Sequence, residues 1–124
     1  MSLKQFSLKG KRALVVGAHR NMGKGFALGL AEAGADVVVA DLHTEGGQLR
    51  AVADEIAAMG RESYAMGVDI SSKNSVESLV KNTVESLGGI DILMNVAVMY
   101  HRKSLPDLDE DGWDRLTDVN LKGY

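Results

Sequence analysis

Two kinds of hydrophobic pattern alternate along the chain, and that alternation leaves it few folds. Short β-branched runs take turns with longer stretches whose apolar residues recur at three- and four-residue spacing. The first run is Arg12–Val16, closed by Gly17. Helical spacing follows from about Gly23 to Ala33, carried by Phe26, Ala27, Leu30 and Ala31, and Gly34 supplies a carboxy-terminal stop. Asp36–Ala40 is apolar after its aspartate, as suits a strand covered on both faces. A second helix is expected from about Thr44 to Met59 on Leu49, Val52, Ala53 and Ile56, and Gly60 ends it. Ser63–Val68 reads as a weaker third strand. Ser71 or Ser72 can cap the next helix, whose stripe is Val76, Leu79, Val80, Val84 and Leu87, with Gly88 and Gly89 closing it. Asp91–Val96 is a fourth strand, and after a loop around Pro106 a last helix starts near Asp109 and is expected to run on to Tyr124.

Strands and helices in strict alternation build a parallel sheet covered on both faces. Right-handed crossovers give strand order 3-2-1-4, the first half of a doubly wound, Rossmann-type α/β fold. Residues 1–124 are therefore expected to form a dinucleotide-binding domain that is incomplete at its carboxy-terminal end. On this reading the sheet is truncated after the last helix, reckoned as the fifth, begins.

Composition narrows the function. The chain is 45% apolar and 25% charged, proportions of an ordinary globular protein. A formal net charge of -3 provides no electrostatic attraction for nucleic acid or an anionic membrane. With no cysteine, disulfides, thiolate metal sites and cysteine nucleophiles are excluded together. The amino terminus, MSLKQFSLKGKR, lacks the apolar core of a signal peptide, and the longest apolar runs are far too short to span a bilayer. A soluble cytoplasmic protein is the expectation.

The segment between the first strand and the first helix, Val16–Gly25, carries the chemistry. Glycines let a backbone turn tightly and approach a pyrophosphate, while the following helix offers free N–H groups and the positive end of its dipole. Gly17 and Gly23 flank the turn; Asn21, in its middle, is a residue that tolerates the left-handed conformation. Turn glycines are common, so the position after the first strand is what raises this turn above punctuation. A P-loop is excluded: five residues, not four, separate Gly17 from Gly23, and Gly25 stands where the magnesium-binding hydroxyl belongs.

With these landmarks in order, the chain resembles the amino-terminal half of a short-chain dehydrogenase/reductase, whose turn reads T-G-x-x-x-G-x-G. Gly17 and Gly23 match the first and third of three glycine landmarks, Asn21 replaces the second and Val16 the threonine. The resemblance implies a cofactor, NAD or NADP, held by Gly17, His19, Arg20, Asn21, Met22 and Gly23. Asp41, 24 residues after Gly17 and followed by Leu42, can accept hydrogen bonds from the adenosine ribose and would repel a 2′-phosphate. Arg20 pulls the other way, since family members with a basic residue in this turn often take NADP. Neither Leu42 nor His43 adds a permanent positive charge, so NAD is favoured, with NADP the alternative.

By the same resemblance Asp69, with Ile70, would face the adenine amino group; otherwise Asp69 only opens a turn before a capped helix. Asn95 and Ala97 match the family's Asn-Asn-Ala-Gly segment, while Val96 and Val98 depart from it. Val98 puts a branched side chain where the family backbone passes close to the cofactor. Asn120 matches the family's catalytic asparagine, which is thought to hold a water in a proton relay. His19, His43 and His101 have no metal-like spacing and read as surface or loop histidines, so no metal site is expected. Trp113 with Leu116 reads as packing.

The family's proton donor, a tyrosine followed four residues later by lysine, has no counterpart in these 124 residues. Two readings follow. One is an oxidoreductase interconverting a secondary alcohol and a ketone, a homo-oligomer by expectation, of which this is the cofactor-binding half. The other is a stand-alone nucleotide-binding or interaction module without catalysis. On either reading the fourth strand, Asp91–Val96, presents an apolar edge protected only by Asp91 and Asn95. The 124-residue polypeptide alone is expected to self-associate, which light scattering at several concentrations would register as a rising apparent mass; a concentration-independent monomer would contradict it.

Overall fold

The computed structural model describes residues 4–124. The first three residues of the amino-terminal segment considered above lie outside that range. Four parallel strands form one sheet in the order β3-β2-β1-β4: β1 (Arg12–Val16), β2 (Asp36–Asp41), β3 (Ser63–Gly67) and β4 (Ile92–Asn95). The helices between them are α1 (Asn21–Glu32), α2 (Gln48–Ala58) and α3 (Lys73–Leu87), and α4 (Glu110–Thr117) follows β4. The expected fold and strand order are both present.

Side chains alternate across a strand, so β1 and β2 can supply two cores at once. Ala13, Val15, Val37 and Val39 point to one face, where Ala27 and Ala31 of α1 and Leu49, Val52, Ala53 and Ile56 of α2 bury against them. Leu14, Val16, Val38 and Ala40 point to the other and meet Val68 and Leu79. Burial on both faces explains the unbroken Val37-Val38-Val39 run, all three fully buried. Each such side chain contributes about 1.5–3 kcal/mol relative to exposure.

Several expected details differ. Phe26 is 38% exposed, because Gly23, Ala27 and Ala31 form the contact face of α1; small residues let that helix lie close to the sheet. On α3, Val80 and Val84 are exposed and Thr83 is fully buried in their place. Its hydroxyl donates to the Leu79 carbonyl at 2.8 Å, so the helix backbone satisfies the polar atom while the methyl packs. Trp113 is 56% exposed, so packing covers less than half of it. The last helix is the fourth α-helix among the described residues. It does not run to Tyr124: it passes at Thr117 into a π turn, Asp118–Lys122, that ends before Gly123. No helix among the described residues is long and apolar enough to cross a membrane.

An ion pair ties the start of β1 to the entry of β4. Arg12 donates through Nε to Asp91 Oδ2 at 2.9 Å and through Nη2 to Oδ1 at 3.2 Å, and Nη1 reaches the Gly88 carbonyl at 2.8 Å. The Arg12 backbone N–H adds a further bond to Asp91 Oδ2. These hydrogen bonds from Arg12 hold the Asp91 carboxyl at about 2, below its ordinary range. Because the folded value is depressed, the stabilisation is present above the unfolded carboxylate range, near pH 4, and is lost as pH falls toward about 2. Urea unfolding midpoints should therefore drop more steeply between pH 4 and 2 for the natural sequence than for Asp91→Asn; parallel curves would contradict this.

Candidate functional site

The carboxyl ends of the four strands open into one cleft of about 490 Å³. It lies where the chain, having run outward from β1 to β3, returns to lay β4 on the other side of β1, the position at which doubly wound sheets bind ligands.

The turn after β1 is built by close backbone contacts. Gly17 has φ +89°, and a Cβ there would meet Ala97 N at 2.7 Å. Gly23, buried in the first turn of α1, is pressed on the end of β1: a Cβ would lie 1.9 Å from the Gly17 carbonyl oxygen. Asn21 adopts φ 50°, the left-handed conformation expected of it. The helix that begins here has no side-chain cap, whereas Ser72 caps α3 and Asp109 caps α4. Its first N–H groups are thus left for another acceptor. Gly17, His19, Arg20, Asn21, Met22 and Gly23 all line the cleft.

At the end of β2 the structure corrects the reading of two histidines as independent surface groups. Asp41, only 5% exposed, accepts four hydrogen bonds. Oδ2 receives the His19 backbone N–H at 3.3 Å and His19 Nδ1 at 2.7 Å. Oδ1 receives the His43 backbone N–H at 3.0 Å and His43 Nδ1 at 3.2 Å. Parallel pairing of β1 with β2 brings the two loops side by side, a relation invisible in linear spacing. The two rings stack with centroids 5.0 Å apart, and the ligand-type atoms of the trio lie within 4.8 Å of one another. Burial pushes the Asp41 carboxyl up, but the bonds from His43 and His19 outweigh it and hold the group below its ordinary value. An ionised carboxylate only accepts, so the Nδ1 atoms carry the protons in these bonds.

Asp69 and Ile70, at the end of β3, also line the cleft. Asp69 Oδ1 takes the Ser71 N–H at 2.9 Å and the Ser71 hydroxyl at 2.6 Å, so the residue opens the turn before α3 as well as facing the cleft. From the β4 side come Val96, Ala97, Val98, Met99 and Tyr100, with Val119 beyond them. Leu42 lines the cleft beside Asp41; Asn95 and Asn120 do not line it. Asn95 Oδ1 accepts the Ala97 N–H at 3.3 Å. Asn120, in the π turn, holds the Met99 backbone twice, accepting its N–H and donating to its carbonyl, each at 2.8 Å. Tyr124 donates its hydroxyl to the Ala97 carbonyl at 2.6 Å, a contact for which the sequence carried no signal.

A glycine-built turn, an uncapped helix start and two strand-end aspartates around one cleft define a doubly wound α/β protein of the Rossmann type. The chain belongs to the short chain dehydrogenase family, whose sequence pattern matches residues 11–124. It is 42% identical over 121 residues to 2-dehydro-3-deoxy-D-gluconate 5-dehydrogenase of Pseudoalteromonas atlantica, covering 96% of this chain and 46% of that one. It is 34% identical over 116 residues to galactitol 2-dehydrogenase of Agrobacterium fabrum, covering 94% and 43%. Among solved structures, a short chain dehydrogenase from Burkholderia cenocepacia in complex with NADP superposes with a TM-score of 0.88 at 37% identity, covering 94% of this chain and 47% of that one. The chain spans about half the length of the relatives it matches.

The glycines separate by what surrounds them. Gly23→Ala must displace the end of β1 and is expected to destabilise by roughly 1–3 kcal/mol. Gly25→Ala, two residues on in the same helix and with nothing within 4 Å, is expected to stabilise by about 0.5–1 kcal/mol. Denaturant unfolding of both variants checks the pair, and equal shifts would contradict the contact.

Proposed function

We propose that the full-length polypeptide is an NAD(P)-dependent oxidoreductase that interconverts a small secondary alcohol and its ketone, and that this chain carries its cofactor-binding half. The observation that carries the reading is the cradle in which Gly23 and Gly17 meet with no room for a Cβ, opening onto the uncapped start of α1. Asn21, Met22 and Gly23 would hold the pyrophosphate on backbone N–H groups, while Gly17, its own N–H given to the Ala40 carbonyl, would let the ligand approach the turn. Asp41 and Leu42 would meet the adenosine ribose, and Asp69 with Ile70 the adenine. When bound, the nicotinamide supplies or accepts the hydride.

Asn120 enters this reading as a positioning residue. Its amide fixes the Met99 backbone and so shapes the wall of the cleft nearest Val98 and Tyr100. Val98, half exposed on that wall, narrows a space that the family keeps open with glycine. The negative charge of Asp41, whose carboxyl is held below its usual range, favours NAD over NADP at neutral pH. The dehydrogenase relatives, and the NADP complex of one structural neighbour, support an oxidoreductase over a binding module.

The test is NADH binding by the full-length polypeptide, read by nicotinamide fluorescence and by thermal shift. Gly23→Val should abolish binding, whereas Gly29→Ala, on the open side of α1, should retain it. Circular dichroism confirms that each variant is folded, and binding that survives in folded Gly23→Val would refute the site. The 124-residue polypeptide, lacking a Tyr-x-x-x-Lys pair, should give no turnover with any alcohol. Activity above background at verified mass would refute that assignment of roles.

A further inference from the structure

The trio of His19, Asp41 and His43 has the ligand set of a metal centre. Both rings turn the same nitrogen, Nδ1, onto one carboxylate, at 2.7 and 3.2 Å. The rings lie stacked, with centroids 5.0 Å apart and planes inclined by 29°. One ligand-type atom from each residue falls within 4.8 Å of the others. Tetrahedral ligands about 2.0–2.1 Å from a zinc ion stand about 3.3 Å apart, so reaching that spacing asks for a shift on the order of an ångström. The His43 side chain, 69% exposed, is free to make it, while His19 at 13% and Asp41 at 6% form a buried base.

We propose that His19 Nδ1, His43 Nδ1 and the Asp41 carboxylate bind one divalent transition-metal ion of the zinc type. The ion takes the place of the two Nδ1 protons that join the rings to the carboxylate. Each neutral ring gives up its Nδ1 proton and takes one on Nε2, so it ligates as its other tautomer with no change in ring charge. The carboxylate keeps its orientation, because the backbone N–H groups of His19 and His43 hold it at 3.3 and 3.0 Å independently of the rings. Each oxygen then has one lone pair on a backbone donor and another for the ion. Two imidazoles and one carboxylate suit zinc or a neighbouring transition metal, whereas magnesium and calcium require more oxygen ligands than the trio offers. All three residues line the cleft, so a further coordination position is left to water or to a ligand there. An ion so held ties the turn after β1 to the loop after β2, and by binding only the folded chain it raises stability. The inference is independent of the dinucleotide reading, since it concerns the protein without dinucleotide.

The experiment titrates chelator-stripped full-length polypeptide with zinc chloride by calorimetry, near neutral pH and without dinucleotide. Zinc should bind the natural sequence and raise its thermal unfolding midpoint. His43→Ala, a change at an exposed side chain, should weaken that binding about tenfold or more, since even the outer partners of metal ligands are worth about 10–100-fold. His101→Ala, outside the trio, should leave it unchanged. Cobalt chloride in place of zinc should give the visible absorption of a four-coordinate ion, and His43→Ala should lose it. Should that variant fail to fold, NMR of the natural protein replaces it: zinc should shift the ring resonances of His19 and His43 and leave those of His101 in place. No zinc binding, equal binding by the natural sequence and folded His43→Ala, or His19 and His43 resonances indifferent to zinc would overturn the inference. None of these outcomes touches the dinucleotide reading, which stands or falls on NADH binding.

Discussion

Everything at the cleft depends on how closely the first turn of α1 is pressed onto the end of β1. A Cβ on Gly23 would sit 1.9 Å from the Gly17 carbonyl oxygen, so backbone meets backbone with no side chain between. That contact sets the height of α1 over the sheet, which in turn lets Ala27 and Ala31 bury as small residues. It also requires the chain to reverse within a few residues, and the left-handed Asn21 together with Gly17 at φ +89° provides the reversal. A bulkier turn would push the helix start away from the cleft and leave its N–H groups aimed at solvent. The same steric demand therefore builds part of the core and exposes the positive end of the helix dipole.

The parallel sheet converts this local contact into a site. Register pairs Val16 with Ala40 on one side and Asn95 on the other, so the loops after β1, β2 and β4 leave the sheet at one level. Gly17 and Ala18 extend the pairing by donating to the Ala40 carbonyl, at 2.8 and 3.2 Å. Residues far apart in sequence thus meet because of strand order. At the opposite end of the same strands, the Arg12–Asp91 pair and its bond to Gly88 fix where β4 begins. The ion pair is remote from the cleft, yet it supports the register that brings Ala97 against Gly17.

Most of the architecture was legible in the sequence because it rests on short-range rules. β1 and β2 were placed by β-branched runs, α2 by a stripe whose four residues all bury, and the α3 cap by Ser72. What escaped depends on tertiary context. Thr83 is buried and Val80 exposed because the sheet, rather than hydropathy, selects the contact face of α3. Trp113 reads as packing by its spacing from Leu116 but stays more than half exposed. The cleft was legible in part: eleven of the expected site residues line it, from Gly17 to Ala97, whereas Asn95 and Asn120 stand behind it and hold its backbone. Asparagine types marked the right neighbourhood, and only geometry separates a group that faces a ligand from one that shapes the wall.

The histidines show why spacing alone misjudges a site. His19 and His43 lie 24 residues apart, share no motif, and one of them is largely exposed. A buried carboxylate cannot remain without partners at tolerable cost, and here the desolvation of Asp41 is met by four donors drawn from two loops. Once those donors are in place, the acidic residue that a linear reading treats as the ribose acceptor is itself a satisfied group. Its charge persists, since the carboxyl is held below its ordinary range, and its hydrogen-bond acceptors are taken up by the two histidines. Charge and hydrogen-bond capacity, which coincide in an isolated aspartate, are here divided among three side chains that only the strand order brings together.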